Sequence, residues 1–478
     1  MVCWQKRGIR LTLILALMGF LMSSVVAFAE VADLEFDEEH IVLRFGAISD
    51  THLMAGQAKF EESLRQLYQK AGKNKLDAIL VAGDLTDGGS LTEVKAVKRS
   101  LDKVGVDKKG TEFIFALGNH DIAFDKKPFN GEVFKEGLGD YAYKGATEEK
   151  IKNGNHHIVV NGYHFIAVNC KIYNGGCHHA SEDLEWLKVE LDKAVADDPA
   201  KPIFVATHPV IYGTVYGSKE GSYWASYNIN DLLKNYPQVI TFGGHLHFPL
   251  NDERNINQKN YTALGTGGTY YCSLEGKING VSTINSSGGM EPDDCHKFSQ
   301  GLYLEVDKNN NVRITRMDFF NKAEIKEPWI VPAPKKDNSH LEVYTYEAMA
   351  KGNKPPYFSK DAVVEVKEVT ARNISIEFEA ADDDDLVYYY EIHLLEKDTG
   401  YPAGYHHTIV YSDFYRTPDP KQMKQRYAQK LDILSFKVIF ALLEPSREYL
   451  IKVVAVDSFG LKSEPIYSES FFGAEIEL

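Results

Sequence analysis

Apolar residues along this 478-residue chain follow two rhythms. In the first two thirds, short unbroken apolar runs alternate with stretches where apolar residues recur every three or four positions. Ile41 to Ile48, Ala78 to Ala82, Phe113 to Leu117, Tyr163 to Asn169, Pro202 to Ala206 and Val239 to Phe242 are the runs, with the length and composition of buried strands. Between them, Phe60, Leu64, Leu67 and Ala71 form one helical stripe, Leu91 to Val104 a second, and Leu184, Leu187 and Leu191 within Glu182 to Val195 a third. Strands alternating with helices predict an α/β sheet, with any site at the carboxyl ends of its strands. Residues 122–157 are polar and loop-rich and yield no assignment.

After the strand Val312 to Phe319 the rhythm changes. Pro328, Pro332 and Pro334, followed by Lys335, Lys336 and Asp337, mark a connector over residues 328–354. From about Pro355 the pattern is alternation without helix-length stripes. Val363 to Val366, Ile374 to Phe378 and Tyr388 to Leu395 read as strands of an all-β unit covering residues 355–478. Thr417 to Leu431 interrupts it and is expected to hold one short helix.

A chain this long, 44% hydrophobic and 25% charged, buries more core than one domain normally uses. Its start carries Lys6, Arg7 and Arg10, then an apolar run from Leu11 to Val26, then Ala27-Phe28-Ala29, the small-x-small pattern of a cleavage site. Residues 1–29 are therefore expected to be a signal peptide and the protein to be exported to the periplasm, the cell surface or the medium; an uncleaved membrane anchor is the alternative. Cleavage would remove three positive charges, taking the net charge from -15 to -18. So acidic a chain would repel a nucleic-acid backbone, and no surface that tracks one is expected. Cys170, Cys177, Cys272 and Cys295 remain beyond the signal and permit two disulfides, with Cys170–Cys177 and Cys272–Cys295 the expected pairing and four thiols the alternative.

The chemistry lies where the strands end. Phe113 to Leu117 runs into Gly118-Asn119-His120-Asp121, which clusters an amide oxygen, an imidazole and a carboxylate. Ile41 to Ile48 delivers Asp50 and His52, two residues apart and able to reach one metal ion. The next strand ends in Gly83-Asp84-Leu85-Thr86-Asp87, a later one in Thr207-His208, and Val239 to Phe242 in Gly243-Gly244-His245-Leu246-His247. Each piece alone is an ordinary turn or helix cap. Five at successive strand ends are not.

Together, Asp50-x-His52, Gly83-Asp84-x-x-Asp87, Gly118-Asn119-His120-Asp121, Thr207-His208 and Gly244-His245-x-His247 resemble the motif set of the calcineurin-like metallophosphoesterases. The resemblance spans about residues 40–325 and implies a domain at residues 30–327, a β-sandwich flanked by helices in four layers, αββα. It also implies two divalent cations, manganese, iron or zinc, which acidify a shared water and clamp the phosphoryl oxygens of a small phosphoester. Asp50, His52 and His247 would bind one cation, Asn119, His208 and His245 the other, and Asp84 would bridge them. His120 would assist the leaving group, Asp121 would orient His120, and Asp87 would buttress the Asp84 turn or a ligand. Purple acid phosphatases carry a tyrosine where Asp87 stands, so an iron–tyrosinate site is not expected. Gly-Asp-x-x-Asp with Gly-Asn-His-Asp is closer to the phosphodiesterase branch, which leans the expectation towards diesters. A phosphomonoesterase or nucleotidase of the same fold, or a non-catalytic adhesion protein built on it, are the alternatives.

Tyr212, Tyr216, Tyr223, Trp224 and Tyr227 fall between His208 and Gly243 and are expected either to wall the site or to pack a long loop. Gly265-Thr266-Gly267-Gly268 lacks the lysine of a phosphate-binding loop and reads as a turn near the site. Asp382 to Asp385 reads as a solvated turn. Leu443-Glu444-Pro445, Tyr449, Ile451 to Gly460 and Ser463 resemble the last strands of a fibronectin type III sandwich, with Tyr449 as its corner tyrosine. That unit is expected to pack on the enzyme domain or to hold the protein to a cell surface or saccharide.

Overall fold

The computed structural model describes residues 36–122, 129–173, 176–219, 224–283, 291–292, 294–404, 407–419, 423–436 and 443–474. The expected signal peptide lies outside them. Two sheets face each other in the first domain. One has the strand order Ala323–Glu324, Val312–Asp318, Gln300–Asp307, Ile41–Ile48, Ala78–Ala82, Glu112–Ala116, with Trp329–Val331 also on Val312–Asp318. The other runs Ile256–Gln258, Thr262–Gly265, Val239–Gly243, Ile203–Ala206, Tyr163–Ala167, His156–Val160.

Strand alternation decides what each sheet buries. Ala78, Leu80 and Ala82 point into the space between the sheets, while Ile79 and Val81 point outward to the helices. Between the sheets the rings of Phe45, Phe165 and Phe204 meet at 4.7–5.0 Å between centroids. On the outer side of the first sheet, the helices Gln57–Ala71 and Leu91–Val104 bury Phe60, Leu64, Leu67, Val94, Val97 and Leu101. Burying each such side chain stabilises the fold by about 1.5–3 kcal/mol. Ser90 and Glu93 cap the second helix reciprocally, and Gly105 ends it in the left-handed conformation. The helix Ser181–Asp197 covers the outer side of the second sheet through Leu187, Leu191 and Ala194. The order of layers is helix, sheet, sheet, helix.

Residues 122–157, unassigned from sequence, contain the helices Gly131–Leu138, Asp140–Tyr143 and Glu148–Asn153 and the strand His156–Val160. Their apolar stripes are one or two turns long, too short to show a period. The connector begins later than its prolines indicate, because Trp329–Val331 still pairs with the first sheet. The segment from Thr417 to Leu431 differs from expectation as well. Its described part ends in the strand Arg426–Asp432, paired with Asn373–Glu379, and the described residues there hold no helix. Alternation of Tyr427 and Leu431 with polar residues carries that strand. The pairing of Cys272 with Cys295 is not formed: both thiols are free, although the Cys272 N–H donates to the Cys295 carbonyl at 3.1 Å. Burial pushes both thiols above their ordinary pKa, which leaves little thiolate to react. Cys170 is buried, and the Cys177 side chain lies outside the described residues.

The C-terminal unit is two antiparallel sheets. One is Val364–Val369, Asn373–Glu379 and Arg426–Asp432; the other is Thr408–Tyr411, Val387–Glu396, Glu448–Asp457 and Ile466–Tyr467, with Phe471–Phe472 also on Glu448–Asp457. Ile374, Ile376 and Phe378 meet Tyr390, Ile392, Ile451 and Val453 between them. The Tyr449 hydroxyl accepts the Glu444 N–H at 3.0 Å. The far face of the larger sheet is not solvated. Tyr389, Tyr411, Val454 and Val456 join the core of the first domain, and the Tyr216 and Tyr388 hydroxyls meet at 2.7 Å with the Arg254 guanidinium over both rings.

Glu253 anchors the junction. It accepts from Arg316 at 2.8 Å and from the Trp329 indole at 2.6 Å, and Lys326 reaches both Glu253 and Asp385 of the second unit. Burial would raise the Glu253 pKa, but Arg316, Lys326 and the Trp329 N–H outweigh it and hold it at about 2. A carboxyl with a lower pKa folded than unfolded adds stability above its unfolded value and loses it as pH falls through the folded one. Glu253→Gln is therefore expected to cost about 2–3 kcal/mol at pH 7 and progressively less between about pH 4.5 and 2. Urea midpoints of the two proteins at pH 7 and pH 3 check this; an equal gap at both would contradict it.

Candidate metal centre

The strands Ile41–Ile48, Ala78–Ala82, Glu112–Ala116, Ile203–Ala206 and Val239–Gly243 end together, and each is followed by one of the motifs. Asp50, His52, Asp84, His245 and His247 all have positive φ, between 44° and 69°. That conformation costs a residue with a side chain about 1–3 kcal/mol and persists only when neighbours enforce it. Here they do. The Asp50 N–H donates to the Gly83 carbonyl at 3.0 Å, the Thr51 and His52 N–H groups to the Asp84 carbonyl at 2.8 and 3.1 Å, and the His245 N–H to the Asp50 carboxylate at 3.1 Å. The turns are crossed over one another and hold each other strained.

Two glycines permit the approach. A Cβ on Gly118 would stand 2.0 Å from Asp84 Oδ1, and one on Gly244 would stand 2.5 Å from Asp50 Oδ2. Both contacts are closer than atoms tolerate.

Three groups of ligand-type atoms result among the described residues, each within 4.8 Å: Asp50, His52, Asp84 and His247; Asp84, His208 and His245; and His52, Asp87 and His120. Asp84 joins the first two. The Asn119 amide oxygen lies 2.9 Å from His208 Nε2, which is 3.0 Å from His245 Nδ1 and 3.2 Å from Asp84 Oδ2. His247 Nε2 is 2.9 Å from Asp50 Oδ1. Asp50 and His208 are wholly buried and none of the seven is more than 4% exposed. The seven expected ligands thus converge, although they come from positions about two hundred residues apart.

These residues fit metal ions. His208 Nδ1 faces the Ala82 carbonyl at 3.0 Å and must carry its hydrogen there, which turns the lone pair of Nε2 to the cluster. His52 Nδ1 meets the Asp87 carboxylate at 2.9 Å, and its Nε2 is buried without a hydrogen-bond partner, as is His247 Nδ1. Buried polar atoms left so are rare and need an account. Charge gives the same result. Burial opposes ionisation of Asp50 and Asp84, yet His247 acting on Asp50 and His208 on Asp84 hold both below the usual carboxylate range; burial would also lower His208, but Asp84 outweighs it and pushes it up to about 10. Without ions, protons on imidazoles supply the positive charge the carboxylates require. Hard oxygens with imidazoles are a donor set for manganese, iron or zinc.

Asp121 does something other than expected. Its carboxylate accepts the N–H groups of Leu85, Thr86 and Gly118 and the Thr86 hydroxyl, at 2.8–3.2 Å, so it ties the Asp84 turn to the Asn119 turn. The His120 ring is met instead by the Asp87 carbonyl, 3.1 Å from Nδ1, while the His120 N–H donates to Asp84 Oδ1 at 2.9 Å. A carboxylate next in sequence to a strand end has several unsatisfied N–H groups nearer than the neighbouring ring, and they win. Asp87, expected as a buttress, reaches His52 with its side chain and His120 with its backbone.

Sequence reasoning missed Tyr270 and Tyr271. The Tyr271 ring lies 4.1 Å from that of His247 and 5.5 Å from His52, and Tyr270 lies 6.0 Å from His52. The glycine-rich turn before them does lie at the site, with the Thr269 N–H on the Ser49 carbonyl and the Tyr270 N–H on the Asp50 carbonyl. That adjacency was the only available signal. Of the expected aromatic loop, Trp224 faces the centre, 4.9 Å from His245; Tyr212 and Tyr227 stack on each other, Tyr216 turns to Phe248 and Tyr388, and Tyr223 lies outside the described residues.

Residues 43–249 match the family described as calcineurin-like phosphoesterase. The part of the chain that bears the five motifs is thus similar to a calcineurin-like phosphoesterase domain. Over 185 residues, 37% of this chain, it is 26% identical to the probable glycerophosphodiester phosphodiesterase GpdQ of Arcobacter nitrofigilis, and it spans 58% of that relative's length. Among solved structures, GAP50, the anchor in the inner membrane complex of Plasmodium, is 17% identical with a TM-score of 0.38, covering 65% of this chain and 94% of its own. The cold-active protein-tyrosine phosphatase of a psychrophilic Shewanella is 16% identical with a TM-score of 0.26, covering 60% and 80%.

If Asp87 orients His52 as a ligand, Asp87→Ala should weaken manganese binding about 10- to 100-fold without unfolding the protein. Competition with a chelator measures it, and an unchanged affinity would show that His52 needs no such support.

Proposed function

We propose that this protein is an exported phosphoester hydrolase that works with two divalent cations and prefers phosphodiesters. The single observation that carries the reading is Asp84, a buried carboxylate common to the group of Asp50, His52 and His247 and the group of His208 and His245. Asp50, His52 and His247 would hold one cation and Asn119, His208 and His245 the other. Two such ions supply, when bound, charge neutralisation for the phosphoryl oxygens and a water acidified enough to attack.

The chain's own residues account for the rest. The Asp87 carbonyl can only accept, so His120 Nδ1 holds one hydrogen there, and Nε2, when the ring carries its second proton, is the atom that would give that proton to the departing ester oxygen and be left with a lone pair. Asp121 keeps Asp84 and His120 in register by holding both their turns through backbone N–H groups. The diester preference is supported by the Gly-Asp-x-x-Asp and Gly-Asn-His-Asp motifs and by the likeness to GpdQ. Export is supported by the basic, then apolar, then small-residue start of the chain, over residues 1–29. The C-terminal unit is proposed to be a fibronectin type III-like sandwich, on the strength of its two facing sheets and the Tyr449 corner. Its broad contact with the first domain favours a buttress over a separate binding module.

Purified protein assayed with bis-p-nitrophenyl phosphate and p-nitrophenyl phosphate, with manganese and with chelator, tests this. Metal-dependent turnover faster on the diester is expected. Asp84→Ala should lose bound metal by elemental analysis and with it essentially all turnover, whereas His120→Ala should keep its metal and lose about 10²–10⁴-fold in rate. No turnover on either ester with metal bound would favour a scaffold, and faster hydrolysis of the monoester would reverse the diester preference alone.

A further inference from the structure

We propose that Tyr271 and Trp224 select for phosphoesters bearing a flat aromatic group, a nucleobase or an aryl ring, next to the phosphorus. The inference rests on the hydrolase reading above and names the substrate class of that same centre.

The two rings stand against opposite ligand groups. Tyr271 packs on His247 and lies beside His52, whereas Trp224 packs on His245, the imidazole beside His208. Both are half-buried, and each packs on an imidazole of the groups around which a phosphoryl group would sit. Stacking on an aromatic side chain tightens binding and is indifferent to which base it is, because every base has a π-face. A glycerol or other alkyl headgroup has no π-face and would gain none of it.

The first wall is held rigid at more than one point. Lys59 sends its ammonium group into three carbonyls, those of Tyr270 at 2.5 Å, His296 at 2.5 Å and Phe298 at 2.7 Å. The Ser273 N–H donates to the His247 carbonyl at 3.1 Å, and the Cys272 N–H to the Cys295 carbonyl at the same distance. His296 in turn sets its exposed ring 4.8 Å from Tyr270 and 5.8 Å from Tyr271. Trp224 leads directly into Ala225–Ser226, which pairs with Val210–Ile211 just after His208. Rings positioned before the ligand arrives lose little freedom on binding, which is the condition for stacking to show as selectivity.

The test compares AMP with glycerol 3-phosphate, which offer the centre the same phosphate and differ in the planar group. Binding of each to the manganese-loaded protein is measured by calorimetry for the natural chain, Tyr271→Leu and Trp224→Leu, with bound manganese and melting temperature recorded for each. The natural chain should bind AMP about tenfold more tightly than glycerol 3-phosphate, and either substitution should remove most of that difference while moving glycerol 3-phosphate by less than about twofold. The ratio of kcat/KM for bis-p-nitrophenyl phosphate to that for glycerophosphoethanolamine should fall in parallel, chiefly through KM. Equal affinity of the natural chain for the two phosphates, or equal losses for both in the variants, would overturn the selectivity and leave the hydrolase reading standing. A manganese-loaded natural chain that binds neither phosphate and cleaves neither diester would overturn both.

Discussion

Two carboxylates and four imidazoles share one buried space, and the molecule around them is arranged to make that tolerable. Asp50 and Asp84 cannot be buried as bare charges, because desolvating each would cost several kcal/mol. The backbone N–H groups of His245 and His120 and the Ser49 hydroxyl satisfy part of the need, and the imidazoles satisfy part of the rest. What remains is a requirement for positive charge at the centre of the cluster. Metal ions would meet it and would turn the same attraction towards a phosphoryl group.

That requirement explains the strain in the turns. Five ligand residues adopt left-handed backbone because an ordinary strand end would aim their side chains along different directions. The cost is recovered through hydrogen bonds between the turns and through the carboxylate of Asp121, which clamps two of them without touching the chemistry. Support of this kind extends outward to Lys59 under the Tyr270–Tyr271 loop. On the far side of the second sheet, it extends to Arg254 between Tyr216 and Tyr388, where the C-terminal unit closes over the core of the first domain.

The strands and long helices were legible from the chain because each buries a face repeating every two or three to four residues, over eight or more positions in the case of Ile41–Ile48 and Leu91–Val104. Short elements were not. The helices between Gly131 and Asn153 and the strands Trp329–Val331 and Arg426–Asp432 have too few apolar positions to separate a period from chance, and neighbours supply what their own sequence lacks. The ligands were legible for a different reason: a metal donor must be one of a few side chains, and finding them after successive apolar runs leaves little room for another arrangement.

The chain by itself determined the two-part organisation, the alternation of strands and helices in the first part, and the set of side chains able to hold cations, since each is written in residue type and local spacing. Only the tertiary structure decided which group each side chain serves. Asp121 could have reached the His120 ring or the backbone, Asp87 could have turned away from His52, Tyr271 could have packed in a core, and Cys272 could have bonded to Cys295. Those choices depend on distances between segments far apart in sequence, set by how two sheets pack, and no local pattern carries that information.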